Sequence, residues 1–369
     1  MKNRKILFIS HDASRTGAPK ALLTLLHWLR RQEGFSFEIL LREGGALERD
    51  FAALGVLHRY QELGADGFKQ KHPQGAFDLV YSNTIVNGAV LKEISYLQCP
   101  VITHVHELEH NIRHVNSKAF EETVQFTDRY IAASLTVKEN LIRNHKIPEN
   151  DIDLVYESIE IPSNKESMAI AGRSMRKSLG IPADSFVVVA SGTTDWRKSP
   201  DLFIQLANAI LKKSPALFHF LWVGGAGSGI RYEELMHEVQ KAGLSQSVRF
   251  LGTVLNPLDY FSACDAFSLV SREDPFPLVM LEAAVLEKPV ICFEGSGGAI
   301  EFVGDNCGAA VPYLDVESMA ETLIRWQSSK EMCRVMGARA SAKVREEHDI
   351  CVLGPKILEI LASEVLVNR

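Results

Sequence analysis

Short apolar runs alternate with amphipathic stretches along the first half of the chain. The run KILFIS (Lys5–Ser10) predicts a buried strand. The stretch APKALLTLLHWLRR has apolar residues at 22, 25, 26 and 29, and this spacing predicts a helix with Pro19 in its first turn. Further strands are predicted by the runs FSFEILL, FDLVYS, PVITHV and RYIAAS. This alternation is typical of a parallel sheet built from βαβ units.

The pattern breaks at 155–165, where VYESIEIPSNK brings together proline and polar residues and predicts a linker. A second alternation follows, with helices expected from Pro200, Pro257 and Pro277, near Arg231–Ala242, and from Asp315 to the end. Its strands are predicted by FVVVA, FHFLWV, VRFLG, AFSLV, PVICF and GAAVPY. The fold class is therefore α/β, with two Rossmann-like doubly wound parallel-sheet domains, 1–160 and 161–350, expected to face each other across a cleft.

Composition narrows the classes of protein. The chain has 369 residues, and its 46% of hydrophobic residues suffices for two cores. The net charge of -6 argues against a general nucleic-acid binder. Six scattered cysteines form no CxxC pair, so they predict buried thiols rather than a zinc knuckle or a disulfide framework.

The N-terminal stretch has a basic start, but its apolar run Ile6–Ile9 is too short for a signal peptide. No run approaches the roughly 18 apolar residues of a membrane span. We therefore expect a cytoplasmic, soluble protein; if it meets a membrane, it would do so from the surface, at the inner face.

Ligands of doubly wound sheets bind beyond the carboxyl ends of the strands, so the loops there are the places to search. In HDASRTGAPKALL, Gly17 stands just before a helix start, which favours an anion and equally suits an ordinary strand-to-helix turn. A GxGxxG fingerprint is absent from this loop.

The segment HVHELEH contains His104, His106 and His110 with Glu107 and Glu109. Their spacing fits no common zinc motif, so we predict no metal site. His104 and His106 share one face of a strand end, whereas Glu107 and His110 fall in the loop that follows. A histidine that holds a sugar hydroxyl or a proton is the expected role.

In the second domain, Arg197 and Lys198 precede the helix start at Pro200. Two cations beside free helical N–H groups suit a diphosphate, although two solvated surface cations would give the same pattern. A glycine turn with Gly297 and Gly298 in EGSGGAIEF is also suited to phosphate.

The stretch SREDPFPLVMLEA places Asp274 in a loop and Glu282 inside the following helix, eight residues apart. The N–H groups of Phe276, Leu278 and Val279 lie between them and can face an anion. A ligand with hydroxyls at both ends and phosphates between, a nucleotide-sugar, would satisfy these features. A capping aspartate and a surface glutamate are the structural alternative.

These motifs resemble those of the retaining glycosyltransferases of the GT-B class, family 4. The family's acid–seven residues–acid motif, in a segment like EGFGLPVLEA, is here DPFPLVMLEA. ITHVHEL resembles the family's TVHD, which puts His106 on the family histidine, and SGTTDWRKSPDLF resembles GRLxxxKGxDLL, which puts Lys198 on the family lysine. VRFLG, with Arg249 and Phe250, and GSGGAIEFV match the later base and phosphate segments.

The resemblance implies transfer of a hexose-type sugar, with retention, from a UDP or GDP sugar to an acceptor hydroxyl, without a metal or other cofactor. The acceptor would be a saccharide or a lipid-linked molecule of surface polysaccharide or glycolipid synthesis. His106, Asp274 and Lys198 would be catalytic, and Glu282 would hold the ribose. Helix 351–369 would cross back to the first domain. The remaining donor-binding residues implied are Gly17, Arg197, Arg249, Phe250, Phe276, Leu278, Val279, Gly297 and Gly298.

The chain departs from the family pattern at several points. The family arginine falls on Thr193, the first motif acid is the shorter Asp274, and Pro275 and Pro277 replace glycines. The linker VYESIEIP lacks the Asn-Gly of the family's VIPNGVD. A nucleotide-sugar epimerase of the same fold and a non-catalytic sugar-nucleotide binding protein are the alternative functions.

Overall fold

A computed structural model of the protein describes residues 4–304 and 306–367. Its contacts divide the chain into two compact units. The first unit comprises the chain up to Glu160 together with the stretch from His348 onward, and the second comprises Ile161–Glu347. The chain therefore leaves the first unit once and returns to it at the end.

The first unit contains a seven-stranded sheet whose neighbouring strands all run parallel, in the order β3-β2-β1-β4-β5-β6-β7. In this register Ser10 pairs with Asn83, and Asn83 pairs with His104, so the carboxyl ends of three strands lie level. The strands are β1 Arg4–Ser10, β2 Phe35–Leu41, β3 Val56–Arg59, β4 Leu79–Asn83, β5 Val101–Val105, β6 Arg129–Ala132 and β7 Ile152–Leu154.

Helices cover this sheet, and the central strands are accordingly apolar on both faces. Short 3-10 segments occur at Ile85–Asn87, Ser95–Leu97 and Glu149–Asp151, with a π-helical turn at Asn111–Val115. The α-helices are α1 Gly17–Leu29, α2 Glu48–Ala52, α3 Tyr60–Lys71, α4 Gly88–Ile94, α5 Ser117–Gln125, α6 Leu135–His145 and, from the end of the chain, α15 Ile350–Val367.

The helix α15 packs on α1 within the first unit. Its apolar side chains share one buried cluster with Trp28 and the strand residues Ile6 and Phe8. Gly354 lies so close to the Trp28 indole that a Cβ there would stand 2.6 Å from it. The last helix is therefore an integral layer of the first unit.

The second unit contains a six-stranded parallel sheet in the order β10-β9-β8-β11-β12-β13. The strands are β8 Phe186–Ser191, β9 Phe218–Val223, β10 Val248–Phe250, β11 Ala266–Leu269, β12 Val290–Phe293 and β13 Gly308–Val311. The helices are α7 Lys165–Ser178, α8 Pro200–Lys213, α9 Ile230–Lys241, α10 Pro257–Ala263, α11 Leu278–Ala284, α12 Ala299–Val303, α13 Val316–Gln327 and α14 Lys330–Glu347.

The strands named from apolar runs are confirmed, and so are the helix starts at Pro200 and Pro257. The short strands β3 and β7 and the polar helix α7 were not predicted, because VLHR, IDL and KESMAIAGRSMRKS carry little apolar periodicity. The prediction of buried thiols is wrong for Cys351, which is exposed, and for Cys99, which is partly buried. In the described parts of the chain, no helix combines the length and hydrophobicity that a membrane span needs.

Candidate functional site

The loop between β8 and α8 carries the two cations expected to bind a diphosphate. Lys198 Nζ lies 2.5 Å from Asp274 Oδ2, and an Arg197 guanidinium nitrogen lies 3.7 Å from Oδ1 of the same carboxylate. The side chains of Lys198 and Asp274 are only 14% and 7% exposed. The interpretation of Arg197 and Lys198 as solvated surface cations is therefore wrong.

The local chain geometry forces Lys198 into this position. A Cβ on Gly192 would come within 2.9 Å of the Lys198 side chain, so only glycine lets the lysine lie against the strand end. Ser199 adopts left-handed backbone angles, φ 60° and ψ 53°, and its buried hydroxyl accepts a hydrogen bond from the Arg272 N–H at 3.2 Å. Such angles are unfavourable for serine and persist where the surroundings enforce them.

The loops after β11 and β12 are tied together through Asp274. The Asp274 N–H donates to the Ser296 carbonyl at 2.7 Å, and the Gly298 N–H donates to the carbonyls of Asp274 and Pro275 at 3.3 and 3.0 Å. Gly297 has a φ of 135°, a region that favours glycine. The Gly298 N–H is thus engaged within its own loops in this arrangement, and its binding of phosphate stays a prediction.

The two motif acids occupy distinct environments. Asp274 does not cap the following helix, because Pro277 is the N-cap of α11. The alternative of a capping aspartate is therefore wrong. Glu282 lies inside α11 and is partly buried, so it is not a fully exposed surface residue. The side chains of Phe276 and Leu278 are buried, which leaves their main chain for any ligand contact, and Val279 is partly buried.

The predicted base-binding residues have structural side-chain contacts. Phe250 is buried and stacks on Trp222 with ring centroids 5.8 Å apart. A guanidinium nitrogen of Arg249 donates to the Leu179 carbonyl at 2.5 Å. Both side chains thus have partners within the second unit, and their role in donor binding stays a prediction.

Burial and the Asp274 carboxylate act in opposite directions on the Lys198 ammonium. Burial lowers the pKa of the Lys198 ammonium below its ordinary value, and the Asp274 carboxylate opposes this by stabilising the charged form. An anionic ligand that approached the ammonium would act in the same direction as Asp274. Asp274 therefore supports the charge of Lys198 against the effect of burial.

A cavity of about 870 Å³ opens beside this loop at the carboxyl ends of β8 and β9. Arg272 closes one side, where it makes a two-pronged contact of 3.0 and 2.7 Å with Asp201 and lies 5.6 Å from the Trp196 ring. Residues that line it include Thr193, Thr194, Asp195, Trp196, Arg231 and Arg272. Thr193 stands at the position of the family arginine and lines this cavity. Two arginines from other parts of the second unit, Arg231 and Arg272, line it as well.

In the first unit a second group of polar side chains, the polar centre, gathers at the carboxyl ends of β4 and β5. It consists of His106, Glu157, Asn83, His104 and Glu107. His106 Nδ1 lies 2.5 Å from Glu157 Oε1, and its Nε2 lies 2.9 Å from Asn83 Oδ1. Burial lowers the pKa of His106, but the Glu157 carboxylate raises it, and the net direction is upward.

His104 lies on the same face as His106, as expected, with ring centroids 4.0 Å apart. Its Nδ1 lies 2.7 Å from the Tyr81 hydroxyl. Burial lowers the pKa of His104 well below its ordinary value and raises the pKa of Tyr81 well above its own. Both groups are therefore neutral around pH 7, and His106 is the chargeable histidine of the pair.

Glu107 braces the loop after β5. It accepts hydrogen bonds from the Thr84 hydroxyl and, at 2.9 Å, from the His106 N–H. Thr84 has a φ of 99°, which is strongly unfavourable for a β-branched residue. Strain of this kind concentrates at functional sites, which supports a functional role for the polar centre.

Gly17 is the exposed first residue of α1, and a Cβ there would meet no atom within 4 Å. Its helix start has no side-chain cap from Thr16. The turn is linked to the polar centre, because Asn83 Nδ2 donates to the Ala18 carbonyl at 2.8 Å. These features suit both an anion site and an ordinary turn.

Among the residues that the structure describes, two groups of side chains offer metal-ligand atoms within 4.8 Å of one another. In Glu38, His58 and His72, Lys5 Nζ already lies 2.5 Å from the carboxylate and supplies the neutralising charge. In the second group, His104, His106 and Glu157, both nitrogens of His106 have partners in the polar centre. Hydrogen bonds join His58 to Glu38 in the first group and His106 to Glu157 in the second.

The sequence did not reveal Glu157 or Asn83 as site residues. Glu157 was assigned to a linker, and its 51-residue separation from His106 carries no local signal. Asn83 follows directly on the predicted strand FDLVYS, so a polar residue at a strand end was the available clue. Tertiary pairing, not spacing, brings these residues together.

Comparisons with known proteins find a family match within the second unit. The family model described as Glycosyl transferases group 1 matches residues 173–343. The chain is 26% identical over 234 residues to D-inositol 3-phosphate glycosyltransferase of Saccharomonospora viridis, which covers 60% of this chain and 53% of the relative. It is 30% identical over 218 residues to the same enzyme of Salinispora arenicola, covering 56% and 48%. The chain thus spans about half the length of these curated relatives.

Solved structures match along almost the entire chain. Anabaena Alr3699/HepE, in complex with UDP and glucose, superposes with a TM-score of 0.83 at 22% identity and covers 98% of this chain and 100% of its own. Sucrose-phosphate synthase from Thermosynechococcus elongatus gives 0.78 at 18% identity and covers 98% of each chain. The α/β fold of the GT-B class is confirmed, and the match to the group 1 family model lies within the second unit.

Proposed function

We propose that this protein transfers a hexose-type sugar from a nucleoside diphosphate sugar to an acceptor hydroxyl and retains the anomeric configuration, as family 4 enzymes do. The observation that carries the proposal is the buried Lys198–Asp274 pair with Arg197 beside it. These residues lie on loops at the carboxyl ends of β8 and β11, where ligands of such sheets bind, and inside the stretch that matches the group 1 family model.

The demanding step is departure of the diphosphate, during which negative charge grows on its oxygens. Positioned cations lower that barrier, and Lys198 and Arg197 supply them without a metal. Asp274 orients hydroxyls of the transferred sugar, and Glu282 holds the ribose. In the front-face attack that the resemblance implies, the departing phosphate takes the acceptor proton, so no protein nucleophile is required.

A UDP sugar is the donor that we propose, because Alr3699/HepE is described in complex with UDP and with UDP-glucose. The proposed acceptor is a saccharide or a lipid-linked molecule of surface polysaccharide or glycolipid synthesis. A lipid-linked acceptor would bring the protein to the cytoplasmic face of a membrane.

The proposal is tested with a panel of UDP and GDP hexoses and mixed saccharide acceptors. We expect one UDP sugar to raise the apparent melting temperature, and we expect release of UDP and a product that retains the donor's anomeric configuration by NMR, also in excess chelator. Epimerised donor without nucleotide release would indicate the epimerase instead. Binding without turnover would indicate a binding protein, and loss in chelator that added metal restores would end the metal-free mechanism.

Lys198→Met removes the charge while keeping most of the side-chain length. We expect turnover to fall by roughly a hundredfold or more, the scale of losing one preorganised charge stabiliser. The control is Lys212→Met, an exposed lysine near the other end of the same helix, α8. Equal turnover of the two variants, both folded, would contradict the role of Lys198.

A further inference from the structure

Both ring nitrogens of His106 face oxygen atoms that accept hydrogen bonds. Nδ1 faces the Glu157 carboxylate and Nε2 faces the Asn83 side-chain oxygen. The orientation of the Asn83 amide is fixed independently, because its Nδ2 donates to the Ala18 carbonyl. Two acceptors require two N–H donors, and among histidine forms only the imidazolium has both.

The charged groups around His106 agree with a cation at this position. The Glu157 carboxylate faces the His106 ring, and the Glu107 carboxylate accepts a hydrogen bond from the His106 backbone N–H. His104 is neutral through burial, and burial also lowers the pKa of His11, which stands after β1 and interacts with Glu107 and His106. His106 is therefore the group that balances the surrounding negative charge.

The backbone around Glu157 is clamped on both sides. The Val155 N–H donates to the Ala132 carbonyl at 3.1 Å, and the Ile159 N–H donates to the His348 carbonyl at 3.0 Å. The His348 ring nitrogen Nδ1 lies 2.9 Å from the Glu157 carbonyl. These contacts fix the backbone that carries the Glu157 carboxylate. The corresponding family segment, VIPNGVD, contains no glutamate.

We propose that Glu157 and Asn83 are positioning residues that keep His106 as an imidazolium, so that the polar centre presents a proton donor and a positive charge to its ligand, not a general base. Its use in catalysis rests on the proposed glycosyl transfer. The Nε2–H bond to the neutral Asn83 amide is the weaker of the two, so a ligand hydroxyl or phosphate oxygen takes its place more readily than that of Glu157. The ligand groups that this arrangement selects are oxygen acceptors.

The charge state is tested directly by NMR titration of histidine-labelled protein, with the His106 signals assigned by their loss in His106→Gln. We expect a midpoint above about 6.5, the ordinary value, and a midpoint lower by about one pH unit or more in Glu157→Gln, because the carboxylate charge is lost. Glu157→Asp should restore part of the shift. The control Glu160→Gln removes an exposed carboxylate, paired with Arg31 at 3.3 Å in the same segment, and should change nothing.

An unchanged midpoint in Glu157→Gln, or a wild-type His106 that titrates below the ordinary value, would overturn the proposal. A proton resident on Glu157 instead of Nδ1 would do so as well, and the nitrogen chemical shifts distinguish that case.

Stability gives a second readout with a defined sign. A pKa of His106 raised on folding stabilises the protein fully below about pH 6.5, the unfolded value, and this contribution is lost as pH rises through the folded value. The loss of stability in Glu157→Gln relative to wild type should therefore be larger at pH 6 than at pH 9. A loss of equal size at both pH values would mean that Glu157 serves packing alone.

The reaction itself is tested separately. If transfer occurs, its rate should decline as pH rises through the His106 midpoint, and Glu157→Gln should move that decline to lower pH by the shift that NMR measures. A rate profile that stays in place while the NMR midpoint moves would reject the role of the pair in catalysis. If no donor is turned over, the proposed function fails, whereas the NMR result still decides the charge of His106.

Discussion

At the scale of single residues, the charges of Lys198 and Asp274 depend on each other. Both side chains are almost fully shielded from water, so each charge depends on the other. Removing one partner of such a pair leaves an uncompensated charge, which costs more than the intact pair contributes. The Asp274 carboxylate thus holds the Lys198 ammonium in place.

Asp274→Asn tests this dependence because it keeps the shape and removes the charge. We expect the free energy of unfolding to fall by about 3 kcal/mol, and the double variant Asp274→Asn/Lys198→Met to recover part of that loss. Urea denaturation of the wild type, both single variants and the double variant measures the coupling. Glu317→Gln is the control, since it breaks the pair that Lys213 makes at the same 2.5 Å in an exposed position, and little change is expected. A stable Asp274→Asn variant would contradict the argument.

At the scale of elements, glycines at helix starts decide how closely helices approach. Gly88 is the first residue of α4, and a Cβ there would stand 2.2 Å from the Ala119 carbonyl of α5. Gly17 is the first residue of α1, and a Cβ there would meet nothing within 4 Å. The same residue type at the same helical position therefore has a packing role in one helix and none in the other.

Gly88→Ala and Gly17→Ala form a matched pair. We expect Gly88→Ala to destabilise the first unit by about 1–3 kcal/mol, because the obstructing atom belongs to the backbone and cannot rotate away. Gly17→Ala should not lower stability, since alanine favours helix over glycine. Thermal and urea unfolding compare the two, and equal effects would show that α4 and α5 adjust freely.

At the scale of the whole molecule, the first unit is completed only by the end of the chain. The helix α15 places Ile350, Leu353, Ile357 and Leu361 in the cluster that also holds Trp28 of α1. At about 1.5–3 kcal/mol for each buried apolar side chain, this helix contributes an amount comparable to the total stability of a domain. The first unit should therefore not be stable without it.

A chain that stops after Glu347 tests this expectation. Hydrogen exchange should show loss of protection in the strands of the first unit, while β8–β13 of the second unit keep theirs. Val352→Ala, at an exposed position of α15, is a control that should leave protection unchanged, whereas Leu353→Ala, at a buried one, should reduce it in the first unit. Unaltered protection in the truncated chain would mean that α15 is dispensable.

The sequence alone determined the two α/β halves, because buried parallel strands are written as continuous apolar runs and helices as a 3.6-residue pattern. It also singled out Asp274, Glu282, Lys198 and His106, since each lies in a compact motif next to a strand end. Short strands such as β7 escaped, because three residues carry too little periodicity.

Tertiary structure decided what these residues contact. It joined Lys198 to Asp274 across 76 residues and His106 to Glu157 across 51, separations that leave no local pattern. In the folded chain the Gly298 N–H donates to the carbonyls of Asp274 and Pro275, and the Phe250 side chain lies in the core. A motif fixes which residue types stand at a strand end, but charge state and hydrogen-bond partners depend on neighbours that only folding brings together.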